Sequence, residues 1–388
     1  IYGKRKCCII FTDLIRNICK HSNIIIISGI ITCVQSALYT LRCGDSFNKE
    51  RAWGKMGCGC SSLAVCDRLG CCIYSQVDWD DIMKRIDFEN GTVTRNIFSA
   101  AIPMLVAQIL SLLYNIVDRI YIARIPEVGT TALGAVGLCF PLIMIITAFA
   151  NLFGSGGAPL FSINRGMKEN QKAQMVMNTS FTMVCASGAV LMVIGLLFAR
   201  PLLVMFGASE EALVHAYPYM MIYLIGTVPS MIATGMNPFI NAQGYATTGM
   251  LSVAIGAVAN LILDPLFIFV FGLGIKGAAI ATVLSQFLSA AYVLLFLERK
   301  AEMKARLLQK KELHSCVEYA KNIVSLGTAG FIMQLTNSLV TICCNNVLSV
   351  TGGDVYISVM TIVSSVRQLV ETPIYAINEG SSPILSYN

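Results

Sequence analysis

Charge is what this sequence has least of. Asp, Glu, Lys and Arg supply 13% of its 388 residues, about half the share found in a soluble domain. So few charges cannot cover a water-facing surface of that size, which argues against a soluble fold. Histidine is scarce as well: His21, His215 and His314 lie far apart. None stands at ligand spacing from a second His or a Cys pair, so no resident metal is expected. No apolar segment pairs His with Asp or Cys at useful spacing, so a membrane-embedded enzyme lacks its nucleophile and base. Neither enzyme activity nor a cofactor is expected. The net charge of +6 raises nucleic acid as a partner. The Lys and Arg residues sit in short loops between apolar segments, however, and there they act as orientation signals for membrane insertion.

Apolar residues are abundant, at 55% of the chain. A bilayer core needs roughly 20 consecutive apolar residues per helical span. The sequence supplies eight such stretches, predicted at 95–120, 130–162, 174–199, 212–238, 245–271, 277–297, 318–349 and 354–388. Pro103, Pro141, Pro229 and Pro265 lie within or at the edges of spans. Membrane helices tolerate such breakers where neighbouring helices satisfy the freed carbonyls. Basic residues concentrate in alternate loops: Arg165, Lys168 and Lys172, then Arg299, Lys300, Lys304, Arg306, Lys310 and Lys311. The positive-inside rule therefore starts the first span in the cytoplasm. Six spans return the chain there at a basic linker, 298–317, expected to be a solvated connector. The fold class is an all-α, multi-pass protein of the cytoplasmic (inner or plasma) membrane.

Residues 1–82 have a different texture. Ten of the 15 cysteines fall within the first 72 residues, and no helical or strand period holds there. Two readings compete: an extra N-terminal region, or upstream sequence ahead of a natural start at Met83. The second is preferred.

The chain repeats itself. Ile97-Phe-Ser-Ala-Ala101 resembles Ile323-Val-Ser-Leu-Gly327, and Gln108 then aligns with Gln334. Gly156-Gly-Ala-Pro159 aligns with Gly380-Ser-Ser-Pro383 after a two-residue shift. Six spans separate the copies, so both insert in the same orientation, as in parallel-repeat transporters. The domains read as a six-helix lobe at 83–297, the linker 298–317, and the first two helices of a second lobe at 318–388.

Polar residues run in stripes. Gln108, Ser111, Asn115 and Asp118 share one face of the first span, since their spacings are 3, 4 and 3. Asn260 and Asp264 share a face of the fifth, as do Thr282, Ser285, Gln286 and Ser289 of the sixth. The seventh carries Gln334, Asn337, Ser338, Thr341 and Asn345. Stripes of uncharged residues serve helix-to-helix hydrogen bonding as readily as a wet cavity. The aspartates are costlier, at roughly 2.5–3.5 kcal/mol each at mid-membrane, and an ion pathway is their default reading. Asp118 has a competing explanation in a local pair with Arg119.

Four segments, Leu113-Tyr-Asn-Ile-Val-Asp118, Ala135-Val-Gly-Leu-Cys-Phe-Pro141, Asn260-Leu-Ile-Leu-Asp-Pro265 and Gly277-Ala-Ala-Ile-Ala-Thr-Val-Leu-Ser-Gln286, resemble the multidrug and toxic compound extrusion (MATE) family. The likeness covers residues 83–388. It implies two six-helix lobes and exchange of Na⁺ or H⁺ for cationic, amphipathic, drug-like molecules, with no obligate protein partner. It also implies a cation site in the first lobe: Asp118 as the carboxylate, with Tyr219, Asn237, Asn260, Asp264 and Thr282 as the polar network. Pro103 would be the point where the first helix bends. No metal is implied beyond a transported Na⁺. Between Glu318 and Asp354 there is no acidic residue, so the seventh span lacks the carboxylate that another branch of the family carries there. A substrate cavity lined by Gln108, Asn115, Gln334 and Asn337 is expected. Two further readings stand beside this one: a lipid-linked saccharide flippase of the same superfamily, which calls for a more cationic cavity, and a non-transporting membrane fragment.

Overall fold

The computed structural model describes Ile86 and residues 93–387, except for 127, 309–311 and 313–315. The Cys-rich region 1–82 and the proposed start at Met83 lie outside the described residues. Everything described belongs to one compact unit.

The chain folds as a succession of long apolar helices. The first, Val93–Ala123, runs unbroken through Pro103. The second, Gly129–Gly166, carries Pro141 and Pro159. The third, Asn170–Met205, leaves helical geometry at Phe198, three residues before Pro201. A proline removes one backbone donor and crowds the preceding turn, which places the distortion there.

The fourth span consists of two helices, Glu210–Ile225 and Thr227–Ala242, which meet at 57°. Gly226 sits at the joint, and a side chain there would come within 2.7 Å of Gln286 Oε1. Its first turn is well capped: Ser209 Oγ accepts from the Ala212 N–H at 3.1 Å, with Glu210 and Glu211 following.

The fifth span, Ala246–Pro265, opens into a five-residue π turn, Leu266–Val270. The sixth is Gly274–Arg299. Helix then runs from Cys316 to Tyr387 with one break at Gly353, whose φ of 66° and ψ of −161° are all but restricted to glycine. That break divides the seventh span from the eighth.

Among the described residues, six helices are long and apolar enough to cross a membrane, or seven with the bent pair counted as one. After Gly353 the apolar stretch is confined to Val355–Ser364. Seven of the eight predicted spans are thus met in order, with the bent pair counted as one; the eighth is helical, but its apolar stretch falls short of a span. Exposed Val190, Val193, Leu197 and Val204 on the third helix form a face suited to lipid.

Glycine governs how the repeats pack. A Cβ on Gly156 of the second helix would stand 2.5 Å from the Ile323 carbonyl and 2.9 Å from Gly327 of the seventh. On Gly380 of the eighth, it would stand 2.5 Å from Ala101 of the first. Small residues let membrane helices approach this closely and gain packing energy.

The linker corrects an expectation. It is a docked strap rather than a solvated connector. Gln243 grips it from both sides: its Oε1 accepts from the Met303 N–H at 2.9 Å and its Nε2 donates to the Met303 carbonyl at 3.4 Å. Gln174 Nε2 donates to the Lys304 carbonyl at 2.6 Å. The N–H groups of Arg306 and Leu308 donate to Asn178 Oδ1 and Thr182 Oγ1 at 3.2 and 3.1 Å. Buried Arg165 binds the Ala242 carbonyl at 3.0 Å and pairs with Glu302 at 2.8 Å. An extended segment has no backbone ladder of its own, so polar side chains of the helix ends supply its partners.

Candidate functional site

The first and fifth helices pack along their length. As the first and fifth of successive spans they run in the same direction, so Asp118 and Asp264 fall at similar depth. At 1.5 Å per residue, Asp118 is about 33 Å along its helix from Asn96 and Asp264 about 27 Å along its own from Ala246. The two carboxyl groups lie close enough to interact electrostatically. Asp264 is fully buried and Asp118 is half-buried.

Asn260, one turn before Asp264, donates from Nδ2 to Asp264 Oδ1 at 3.1 Å and lies 3.4 Å from Thr282 Oγ1 on the sixth helix. Thr282 in turn donates to the Ala278 carbonyl at 3.0 Å. Pro265 and the π turn follow directly. Such turns interrupt the regular hydrogen-bond ladder and are frequent at functional sites.

Three buried oxygens of this group have no protein donor: Asp118 Oδ1, Asp264 Oδ2 and Asn260 Oδ1. Unsatisfied acceptors buried together are costly. Two carboxyl groups brought close together repel each other when both are ionised, and a cation between them relieves that repulsion. Oxygen donors in this number suit a proton or a hard monovalent ion, since oxygen-rich sites hold hard cations.

Aromatic residues wall the site. Tyr219 is buried and stacks on Tyr223, with ring centroids 6.3 Å apart. Tyr223 accepts from Gln286 Nε2 at 3.3 Å. Tyr219 stands within electrostatic range of both aspartates. Arg119 does more than face Asp118: its guanidinium lies over the Phe140 ring at 4.6 Å and donates to the Thr361 carbonyl of the eighth helix at 3.2 Å.

Asn237 lies elsewhere. It donates to Ser252 Oγ at 2.7 Å and to the Gly249 carbonyl at 3.0 Å, and it accepts from Asn241 at 3.0 Å. Gly249 stands about 22 Å short of Asp264 along the same helix at 1.5 Å per residue. Asn237 therefore ties the end of the fourth span to the start of the fifth, away from the carboxyl pair.

The expected cavity residues are only partly brought together. Asn115 Nδ2 turns back to the Ser111 carbonyl at 2.7 Å. Gln334 and Asn337 lie on the seventh helix, Gln334 half-buried; that helix is fastened to the second by Ser338 Oγ donating to the Pro141 carbonyl at 2.9 Å. Gln108 reaches a residue that sequence reasoning missed: its Nε2 donates to Glu379 Oε2 at 3.1 Å. The signal was an acidic residue in the eighth span, far from the start of that helix.

Comparisons with known proteins bear on the chain as a whole. The MatE family model matches residues 103–266. The multidrug export protein MepA of Staphylococcus haemolyticus is 26% identical over 301 residues, covering 78% of this chain and 66% of that protein. MepA of Staphylococcus aureus strain MRSA252 is 24% identical over the same length. The chain thus spans just under two thirds of the length of these relatives. Among solved structures, the MATE multidrug transporter DinF-BH, captured in a complex, is 29% identical with a TM-score of 0.68, covering 76% of this chain and 65% of that one. A MOP superfamily transporter from Pyrococcus furiosus, described as having a binding pocket of reverse polarity that suggests a different function, is 26% identical with a TM-score of 0.69, covering 78% and 67%.

Proposed function

We propose that the chain, which is similar to MATE transporters, serves cation-coupled export of small, cationic, amphipathic molecules. Na⁺ or H⁺ is the coupling ion and Asp118 and Asp264 are its binding pair. The observation that carries this reading is the group of three buried oxygens, Asp118 Oδ1, Asp264 Oδ2 and Asn260 Oδ1, that no protein donor satisfies.

Each residue has a role that its position supports. Asp118 and Asp264 supply charge from two different helices. Asn260 orients Asp264 and offers its own oxygen, and Thr282 offers a second neutral oxygen from the sixth helix. An ion that enters draws the first and fifth helices together. A substrate that competes for the same state releases it. One charge moving through 100 mV is worth about 2.3 kcal/mol, enough to favour export several tens of fold. The relatives' names, multidrug export and multidrug transporter, support a small-molecule substrate. A flippase for lipid-linked saccharides is less well supported, because carboxylates rather than cationic side chains dominate the candidate site.

The test is efflux from vesicles reconstituted with the full chain, loaded with a fluorescent organic cation and given an imposed Na⁺ or H⁺ gradient. Gradient-dependent release that disappears in Asp264→Asn supports the proposal. Release that persists in that variant defeats it.

A further inference from the structure

Arg119 is a permanent charge near the end of an apolar helix. Such a residue ordinarily reaches outward to water along its own stem, as exposed Arg124 does five residues on. Arg119 does the reverse. It is 7% exposed, and side chains lean toward the N-terminus of their own helix. Its guanidinium is laid over the Phe140 ring of the second helix at 4.6 Å and donates from Nη1 to the Thr361 carbonyl of the eighth at 3.2 Å. One side chain thus fastens three helices together.

The carbonyl that it meets lies at a prepared place. Thr361 Oγ1 donates back to the Ile357 carbonyl at 2.9 Å, a bond that loosens or bends a helix. A carbonyl oxygen already used within a helix has a second lone pair to offer. Thr361 is buried, and a Cβ on Gly137 of the second helix would strike its Oγ1. The eighth helix is therefore pressed against the second just where the guanidinium arrives.

The eighth helix is held to the first in two different ways. Near the start of the first helix the contact is Ala101 against Gly380, which has no charge for an ion to act on. Near its end the contact is a cation, and the residue before that cation is Asp118, close enough to act on it electrostatically. The other titratable neighbours, Tyr114 and Tyr219, are phenols and stay uncharged near neutral pH. An ionised Asp118 and the Thr361 carbonyl therefore compete for one guanidinium. Hydrogen bonds to a carboxylate are the stronger kind, so neutralising the carboxylate shifts the balance toward the carbonyl.

We propose that Arg119 is a positioning residue that reports the occupancy of the carboxyl pair to the eighth helix. With the pair ionised and empty, Asp118 draws the guanidinium and the clasp on Thr361 loosens. With a proton or Na⁺ on the pair, the guanidinium stays on the carbonyl and the clasp tightens. This rests on the cation-site reading above and adds the link by which a bound cation alters the packing of another helix.

The test is amide hydrogen exchange over residues 355–364 of the full chain in lipid nanodiscs, at fixed pH in Na⁺-free buffer. Asp118→Asn removes the competing charge whichever ion is native, and should slow exchange there by about fivefold or more, the lower end of ordinary coupling between sites. Residues 316–349 of the seventh helix should not change. Arg119→Gln should speed exchange over 355–364, and adding Asp118→Asn to it should then have no effect. Unchanged exchange in Asp118→Asn overturns the inference without any change at Arg119. So does slowing spread equally over the seventh helix, or slowing that persists in the double variant. Uptake of ²²Na⁺ and of protons by the wild-type chain is measured beside it. A chain that takes up neither removes the cation-site reading and this inference with it, whereas uptake without the exchange response removes this inference alone.

Discussion

Gly156 on the second helix and Gly327 on the seventh face each other so closely that a methyl group on the first would strike the backbone of the second. The repeat alignment pairs Gly156 with Gly380 and Gly327 with Ala101, and Gly380 indeed lies against Ala101. The same small-residue contact is thus made twice, once by each copy. A weak sequence repeat is hereby matched by a pair of equivalent contacts, as the parallel arrangement requires.

Filling either contact should be costly. Gly327→Leu is expected to lower the thermal midpoint of the purified protein, and Gly380→Leu to lower it by a similar amount, each through about 1–3 kcal/mol of overpacking. Gly330→Ala, with nothing within 4 Å of its Cβ position, is the control and should leave the midpoint nearly unchanged. Equal midpoints for all three variants would count against the contact as a packing constraint.

The carboxyl pair makes a prediction about ion competition. Protons and Na⁺ contend for the same oxygens, so ²²Na⁺ binding should weaken as pH falls. Asp264→Asn and Asp118→Asn should each abolish both the binding and its pH dependence while the protein remains inserted. If Asp118 served only as a partner for Arg119, Asp118→Asn would bind Na⁺ as the parent does.

Asn237 provides a contrast within the same sequence expectation. Asn237→Ala leaves Asn241 and Ser252 short of a partner, with a cost of about 1–3 kcal/mol. It should reduce stability with Na⁺ affinity unchanged. Asn260→Ala should do the opposite, costing ion affinity first, because its amide orients Asp264. Scanning calorimetry beside ²²Na⁺ binding separates the two.

A further expectation concerns the strap. Gln243→Leu strands the Met303 N–H and carbonyl, so amide exchange at residues 301–308 should rise clearly while the six-helix lobe stays protected. Exchange that stays slow there would show the other anchors to be sufficient.

The fold was largely legible in the sequence because hydrocarbon imposes a length and a polarity on every span. The carboxyl pair was legible for a related reason: Asp264 in an apolar run has few uses. Depth was harder to read. Asn237 and Asn260 look alike in a polar stripe, yet one lies near the end of the fourth span, beside the start of the fifth, and the other toward the far end of the fifth. Counting residues from the loop would have separated them. Glu379 was missed because the face a helix presents depends on its rotation, and that rotation is set by the Ala101–Gly380 contact. The strap was invisible because its bonds use backbone groups, whose partners no side-chain pattern announces.

The strap also changes where the first lobe ends. By topology the lobe stops at Arg299, where the sixth helix leaves the membrane. By energy it runs on to Leu308, since residues 302–308 are held by side chains from the second, third and fourth spans. An isolated half cut at the helix end would bare the polar side chains of that surface, whereas one cut after Leu308 carries its own seal. Anyone dissecting the protein into halves, or grafting this half onto another, should treat those few residues as the lobe's last element and place the seam beyond them.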